Sequence, residues 1–248
     1  MNFEEFLLNE SINDKGILKA IFVVGLPGAG KSYTISNLKG QISPKIVNTD
    51  VALEFLSKKT NIPANSETWK TVFRDSTKKM TSTMLYNYIN GMLPLFIDGT
   101  SNDTSNVLSR AGILESLGYD VGMIFIDTDI EVAKQRAIER AEKIGRTVDP
   151  SFIDKVYQES EDNKNYFKSK FDFFKIYENN GQSLDNDLMN KLFKEVQSFY
   201  NEDIINPVGK RNLIKIEEGK EKYLVPTIFN DETLKSELST WYKREKEA

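Results

Sequence analysis

Short apolar runs alternate with longer amphipathic segments over most of the chain. The apolar runs predict strands, and apolar residues at intervals of three and four between them predict helices. The predicted strands are 20–24, 45–47, 93–97, 121–127 and 171–177, and the predicted helices are one that ends near residue 40, then 51–59, 66–90, 104–117, one that follows Asp129, and 184–199. This alternation is typical of a parallel sheet with helices on both faces. The sequence therefore predicts an α/β fold with a five-stranded parallel sheet.

The predicted helix 66–90 has an apolar face. Its apolar residues recur at three- and four-residue intervals, and Gly91 supplies a C-terminal stop. We expect this face to pack in the core rather than to bind a ligand. Its residues are Trp69, Val72, Phe73, Met80, Met84 and Tyr88.

A glycine-rich segment, GLPGAGKS at positions 25–32, lies between the first predicted strand and the next predicted helix. It is a complete Walker A phosphate loop in the expected context. The glycines let the backbone curl with N–H groups pointing inward, and the helix N-terminus adds partial positive charge. We predict that Lys31 reaches the β- and γ-phosphates of a nucleotide and that the Ser32 hydroxyl binds Mg²⁺. The predicted nucleotide contacts are Gly25, Pro27, Gly28, Ala29, Gly30, Lys31, Ser32, Tyr33 and, from a later helix, Arg136.

A candidate metal ligand, Asp98, ends the third predicted strand. An apolar strand that delivers an aspartate is a Walker-B-like arrangement, in which the carboxylate holds Mg²⁺ directly or through water. An aspartate that caps the next helix would look similar. We favour the metal role because a Walker A loop lies upstream.

A basic segment follows the fourth predicted strand. Asp129 caps a predicted helix whose apolar positions face one way, and the helix runs into Gly145. Phosphoryl transfer needs positive charge around the migrating group, and a mobile lid with arginines is a common supplier. The alternative is a solvated basic face paired with nearby glutamates, but the cluster beside a glycine favours a lid. Its basic residues are Arg136, Arg140, Lys143 and Arg146.

The composition limits the binding partners and the acid–base groups that the protein can use. The net charge of −4 gives no whole-protein attraction to nucleic acid, so a polynucleotide would need a local basic patch. Without cysteine or histidine, acid–base chemistry depends on carboxylates, lysine or tyrosine. No apolar run is long enough for a membrane span, and the acidic N-terminus lacks the layout of a signal peptide. We expect a cytoplasmic protein with no membrane partner.

The two ends of the chain fall outside the predicted strand order. Residues 1–18 are predicted as an N-terminal helical segment that packs on the central domain, 19–204. The alternative is a docking peptide for a protein partner, since this acidic and aromatic opening resembles the leader-like ends of some large-phage proteins.

Turn residues at 206–209 predict the end of the central domain. Residues 205–248 are predicted as a small α+β extension, in which 213–216 and 223–225 form a hairpin before a final helix.

The order of these motifs resembles a known group of enzymes. A phosphate loop, an aspartate after the second strand, an aspartate turn after the third and an arginine-bearing segment occur in P-loop kinases of the polynucleotide 5′-kinase and zeta-toxin-like group. The resemblance covers residues 20–180 and implies a P-loop NTPase three-layer sandwich, ATP and Mg²⁺ as cofactors, and γ-phosphoryl transfer to a hydroxyl. By position it implies Asp50 as the base, Lys31, Arg140 and Arg146 as further catalytic residues, and Thr100 and Asn102 as polar contacts.

The acceptor stays open among a nucleic-acid end, a nucleotide and a nucleotide sugar. Polynucleotide kinases of this group usually carry an arginine just after the base aspartate, whereas Val51 follows Asp50 here. The Trp69-containing helix resembles the zeta-toxin arrangement more, which implies a small alcohol such as a nucleotide sugar. Lys70 and Arg74 are candidate acceptor contacts. A function of another class is a P-loop protein that binds or hydrolyses ATP for structural or interaction purposes and phosphorylates no acceptor.

Overall fold

Five parallel strands form one sheet in the computed structural model, in the order β2-β3-β1-β4-β5. The structure describes residues 15–40, 42–63, 68–99, 101, 103–144, 149–181, 186–218 and 236. The strands are β1 (Lys19–Gly25), β2 (Lys45–Val47), β3 (Leu95–Gly99), β4 (Asp120–Asp127) and β5 (Phe173–Glu178). The helices are α1 (Lys31–Leu38), α2 (Thr49–Thr60), α3 (Arg74–Asn90), α4 (Thr104–Ser116), α5 (Ile130–Ile144), α6 (Pro150–Lys168), α7 (Asn186–Asn201) and α8 (Pro207–Glu217). The α/β fold class is confirmed.

Helices cover both faces of the sheet, and each face has its own apolar core. On one face, Leu85 and Ile89 of α3 pack with Leu114 of α4 against the strands. On the other face, Ile35 of α1 and Val196 of α7 do the same. Every residue of β1 is buried, as expected for the central strand of a doubly covered parallel sheet.

All five strands end at the same edge of the sheet. In β1, Val24 lies opposite Gly99 of β3, and Gly25 lies opposite Ile126 of β4. The loops that follow β1, β2 and β3 therefore gather at one edge, where ligands bind in open α/β sheets. Among the described residues, no helix is both long and apolar enough to cross a membrane.

The start of α3 differs from the prediction. A π-helical turn, Trp69–Phe73, precedes α3, and the buried face of α3 is offset by one residue from the predicted apolar face. Val72 is exposed, whereas Phe73 is buried. A π turn holds an extra residue and rotates the positions before it relative to those after it. The buried residues of α3 are Thr77, Lys78, Thr81, Ser82, Leu85 and Ile89.

The predicted hairpin is also wrong in its first strand, because residues 213–216 belong to α8. Pro207 occupies the first turn of α8, and the Asn206 side chain accepts hydrogen bonds from the Val208 and Gly209 N–H groups. The Asn-Pro pair is thus a helix start, for which both residue types are suited. The second predicted strand, 223–225, and the predicted helical segment before residue 15 lie outside the described residues.

A buried ion pair anchors the approach to α8. The Lys19 Nζ donates to Asp120 Oδ2 at 2.8 Å, with both side chains almost fully buried. Asp120 also accepts from the backbone N–H groups of Ile205 at 2.9 Å and Asn206 at 2.8 Å. One carboxylate therefore joins the amino ends of β1 and β4 to residues 205–206. The predicted domain boundaries at residues 18 and 204 stay predictions.

We expect Asp120→Asn to lower the free energy of unfolding by about 3 kcal/mol, because it leaves the buried Lys19 ammonium without a counter-charge. Urea denaturation measures this. The control is Glu159→Gln, which breaks the exposed Lys155–Glu159 pair at 3.9 Å and should change stability by no more than about 0.5 kcal/mol. Equal effects of the two substitutions would contradict the anchoring role of Asp120.

Candidate nucleotide-binding site

The phosphate loop (residues 25–32) curves tightly between β1 and α1. Gly28 and Gly30 have φ angles of 88° and 92°, in the left-handed region that favours glycine. Gly30 is the N-cap of α1, so the helix N-terminus opens directly onto the loop. Backbone N–H groups at such a terminus bind anions without further side chains. Leu26, Pro27 and Ala29 are buried within the loop.

The loop backbone touches two neighbouring elements. A Cβ atom on Gly28 would lie 2.1 Å from the Ala133 carbonyl oxygen in α5. A Cβ atom on Gly30 would lie 2.5 Å from Asn179 Nδ2, just after β5. At Gly28 the neighbour is backbone, so the loop can approach α5 this closely only with glycine. At Gly30 the neighbour is the end of a side chain, and the φ angle of 92° is the stronger reason for glycine.

The Lys31 side chain folds back onto the first residues of the phosphate loop. Its Nζ donates to the carbonyl oxygens of Gly25 and Leu26, at 3.0 Å each. A phosphate oxygen is a stronger acceptor for an ammonium group than a carbonyl, because both partners then carry charge. The Ser32 and Tyr33 side chains next along α1 are exposed.

Asn48 joins the Asp98 carboxylate to the backbone of Asp50. Its Nδ2 donates to Asp98 Oδ2 at 2.9 Å, and its Oδ1 accepts from the Asp50 N–H as the N-cap of α2. Asp98 lies near the end of β3, opposite Val23 of β1, and Asp50 lies in the first turn of α2. The predicted metal ligand and the predicted base are thus tied to one amide at the same sheet edge.

The alternative role for Asp98 does not hold. The residue that caps α4 is Asp103, whose Oδ1 accepts from the Asn106 N–H at 2.9 Å. The sequence predicted no role for Asn48, although an asparagine two residues before an aspartate at a helix start is a typical cap pattern. Thr100 and Asn102 lie outside the described residues.

Arg136 of α5 holds the β5 turn (residues 179–181). Its Nη1 donates to the Asn179 carbonyl at 2.9 Å and its Nη2 to the Gly181 carbonyl at 2.6 Å. An ideal Cβ on Gly30 would lie 3.9 Å from Arg136 Nη1, so this guanidinium adjoins the phosphate loop. The predicted nucleotide contact therefore lies beside the loop and is also bound to the backbone of the β5 turn.

The predicted lid is described in part. Arg140, one turn after Arg136, is half-buried on α5, and Arg146 lies outside the described residues. Lys134 of α5 pairs with Asp154 of α6 at 2.7 Å, and this hydrogen bond raises the pKa of the Lys134 ammonium above its usual value. The two helices that flank residues 145–148 are thus joined by an ion pair.

Sequence reasoning missed the side chains after β4 and β5 that support the phosphate loop. Asn179 Nδ2 donates to the Ala29 carbonyl at 2.7 Å, and Thr128 Oγ1 donates to it at 3.4 Å. Asn179, Asn180 and Gly181 have the composition of an ordinary turn, and 150 positions separate Asn179 from Ala29. No local pattern signals such a contact.

Comparisons with known proteins identify a matching family and similar folds. A family model described as zeta toxin matches residues 9–193, which is most of the chain. The PezAT toxin–antitoxin system of Streptococcus pneumoniae contains a similar structure, with a TM-score of 0.53, 17% identity, and coverage of 88% of this chain and 93% of that chain. A protein from Chloroflexus aurantiacus described as a kinase has a TM-score of 0.51, 14% identity, and coverage of 73% and 98%. These two structures share the fold, and no curated protein sequence matches the chain.

We expect Gly28→Ala to disrupt the phosphate loop, because its Cβ would overlap the Ala133 carbonyl. Nucleotide affinity, measured by calorimetry with ADP and Mg²⁺, should fall at least about tenfold, which corresponds to about 1.4 kcal/mol. Gly112→Ala in α4 is the matched control, since a Cβ there meets no atom within 4 Å, and alanine favours a helix. A normal affinity in Gly28→Ala would contradict the packing described for the loop.

Proposed function

The chain belongs to the zeta toxin family, and from that premise we propose that it is a kinase that transfers the γ-phosphoryl group of ATP, with Mg²⁺, to a hydroxyl group of an acceptor. The observation that carries the proposal is the Asn48 amide, which ties Asp98 to the start of the helix that bears Asp50. This pair of carboxylates lies at the same sheet edge as the phosphate loop. Phosphoryl transfer requires mainly positioning and charge stabilisation, and these elements supply both.

The phosphate loop is the proposed ATP site. Its N–H groups and the α1 N-terminus attract the phosphates, and the Lys31 ammonium exchanges two carbonyl partners for phosphate oxygens. Tyr33 and Arg136 are further proposed contacts with the nucleotide. Arg136 is suited to this because its guanidinium is already fixed by two carbonyls of the β5 turn.

The donor atoms present fit Mg²⁺. This ion prefers oxygen ligands and is usually bound through one or two protein groups together with substrate phosphates. The Ser32 hydroxyl and the Asp98 carboxylate are such groups, and the Asn48 amide orients the carboxylate. When bound, Mg²⁺ neutralises charge on the β- and γ-phosphate oxygens.

Asp50 is the proposed base. The acceptor hydroxyl loses its proton to the Asp50 carboxylate while its oxygen bonds to the γ-phosphorus and the bond to the bridging oxygen of ADP breaks. A carboxylate is suited to this step because the chain contains no histidine. Asp50 is half-buried in the first turn of α2, where the Asn48 cap fixes its backbone. Arg140 and Arg146 are the proposed lid arginines, which stabilise the charge of the transferred group.

The proposed acceptor is a nucleotide or a nucleotide sugar in preference to a polynucleotide end. Val51, which replaces the arginine expected in a polynucleotide kinase, is exposed beside Asp50. Arg74, half-buried at the start of α3, a helix that contacts α2, is the proposed contact for an anionic acceptor. A cytoplasmic location and a protein partner for the N-terminal segment stay predictions.

Replacing Asp50 by Asn should separate transfer from binding. Turnover should fall by roughly 10²–10⁴-fold, because a general base contributes on that order, while ATP affinity stays normal. The measurement is transfer from γ-labelled ATP to a panel of oligonucleotides, nucleosides, nucleotides and nucleotide sugars. The matched control is Glu54→Gln, one turn later on the same helix and exposed. If the unmodified protein releases only free phosphate across the panel, the transferase proposal fails and ATP hydrolysis replaces it.

Replacing Asp98 by Asn should raise the Mg²⁺ concentration that gives half-maximal turnover. We expect a rise of at least about tenfold, the usual effect of disturbing the ligands around a bound metal. Asp103→Asn is the control, because it removes the same charge close by and asparagine also caps helices well. Identical Mg²⁺ titrations for the two variants would rule out Asp98 as a metal ligand.

A further inference from the structure

Two side chains from the ends of β4 and β5 converge on one carbonyl of the phosphate loop. The Ala29 oxygen accepts from Asn179 Nδ2 at 2.7 Å and from Thr128 Oγ1 at 3.4 Å. Asn179 follows β5 and Thr128 follows β4. A carbonyl oxygen has two lone pairs, so these two donors can fix the direction of the Ala29 carbonyl. The bond from Asn179 is the shorter and the stronger of the two.

We propose that Asn179 is a positioning residue for nucleotide binding, which acts through the peptide group between Ala29 and Gly30. This inference rests on the proposed function and adds a residue to its machinery. The peptide is trans and planar, so its N–H points opposite to its C=O. The Ala29 carbonyl points toward Asn179, so the Gly30 N–H points away from Asn179. On this inference the N–H faces the phosphate site at the N-terminus of α1. There it is one of the donors that a phosphate oxygen can use.

Asn179 is itself held in place on several sides. Its backbone N–H donates to the Asp127 carbonyl at 2.8 Å, and its carbonyl accepts from Arg136. The side-chain amide also lies close to the phosphate loop, because a Cβ added to Gly30 would lie 2.5 Å from Nδ2. Arg136 therefore supports the loop indirectly, in addition to its proposed contact with the nucleotide.

Thr128 supports the same peptide less strongly. Its side chain is buried, so water cannot readily replace the Ala29 carbonyl as the partner of its hydroxyl. The neighbouring Asn180 makes a different hydrogen bond, in which its Oδ1 accepts from the Asp129 N–H at 2.7 Å. Asn179 thus works as a donor to the phosphate loop, and Asn180 works as an acceptor at the start of α5.

This difference provides a matched pair of variants. Asn179→Asp keeps the shape of the side chain but removes its N–H donors and turns a carboxylate oxygen toward the Ala29 carbonyl. Asn180→Asp adds the same charge one residue later and keeps its acceptor oxygen. Through-space repulsion of an anionic nucleotide is therefore similar in both variants, and only Asn179→Asp loses the bond to the loop.

The test is calorimetric binding of ADP and of AMP to the full chain in the presence of Mg²⁺. For Asn179→Asp we expect ADP affinity to fall at least about tenfold, with a smaller loss for AMP, because the loop N–H groups cradle the α- and β-phosphates and AMP carries only the first of them. Asn180→Asp should bind both ligands normally. Equal ADP affinity in the two variants, or equal loss of ADP and AMP in Asn179→Asp, would overturn the inference.

A second pair covers the case in which Asn179→Asp does not fold. Thr128→Val removes the hydroxyl at constant shape, whereas Thr128→Ser retains it. ADP affinity should be lower in the valine variant and restored in the serine variant, and equal affinities would overturn the claim that donors to the Ala29 carbonyl position the loop for the nucleotide. Failure of the unmodified protein to bind ADP is a different outcome, because it overturns the proposed function and this inference together.

Discussion

The close approach of the phosphate loop to α5 and to the β5 turn is the constraint on which the site depends. At Gly28 the loop backbone leaves no room for a Cβ beside the Ala133 carbonyl, and at Gly30 it leaves none beside Asn179. The loop is therefore not a free segment that a ligand must order. Its shape is set by elements that come later in the chain, so less conformational entropy is lost when an anion binds.

The two ends of the β1–β4 strand pair have different roles, one in stability and one in ligand binding. At one end of the β1–β4 pair, Lys19 lies opposite Asp120, and their buried ion pair anchors residues 205–206. At the other end, Gly25 lies opposite Ile126, where the phosphate loop begins. Both ends are held by contacts between distant parts of the chain. The end at Lys19 and Asp120 is fixed by charged groups that are costly to bury. The end at Gly25 leads into a curved backbone with accessible N–H groups.

Much of this could be predicted from the sequence because the signals are local. The apolar runs identified all five strands, and the glycine spacing with Lys31 identified the phosphate loop. The offset face of α3 could not be predicted, because a π-helical turn shifts the periodicity. The α8 start was misread because Asn206 and Pro207 suit a turn and a helix N-terminus equally. The bridging by Asn48 and the bond from Asn179 to Ala29 depend on how strands order in space, which single-sequence patterns do not contain.

The central claim is that residues 25–32 bind the polyphosphate of a nucleotide, and calorimetry tests it most directly. The unmodified protein and Lys31→Ala are each titrated with a non-hydrolysable ATP analogue in the presence of Mg²⁺. We expect one site per chain in the unmodified protein and an affinity at least about tenfold lower in Lys31→Ala, because a charge-assisted contact to phosphate is lost. No binding by the unmodified protein, or equal affinity in the variant, would contradict the account.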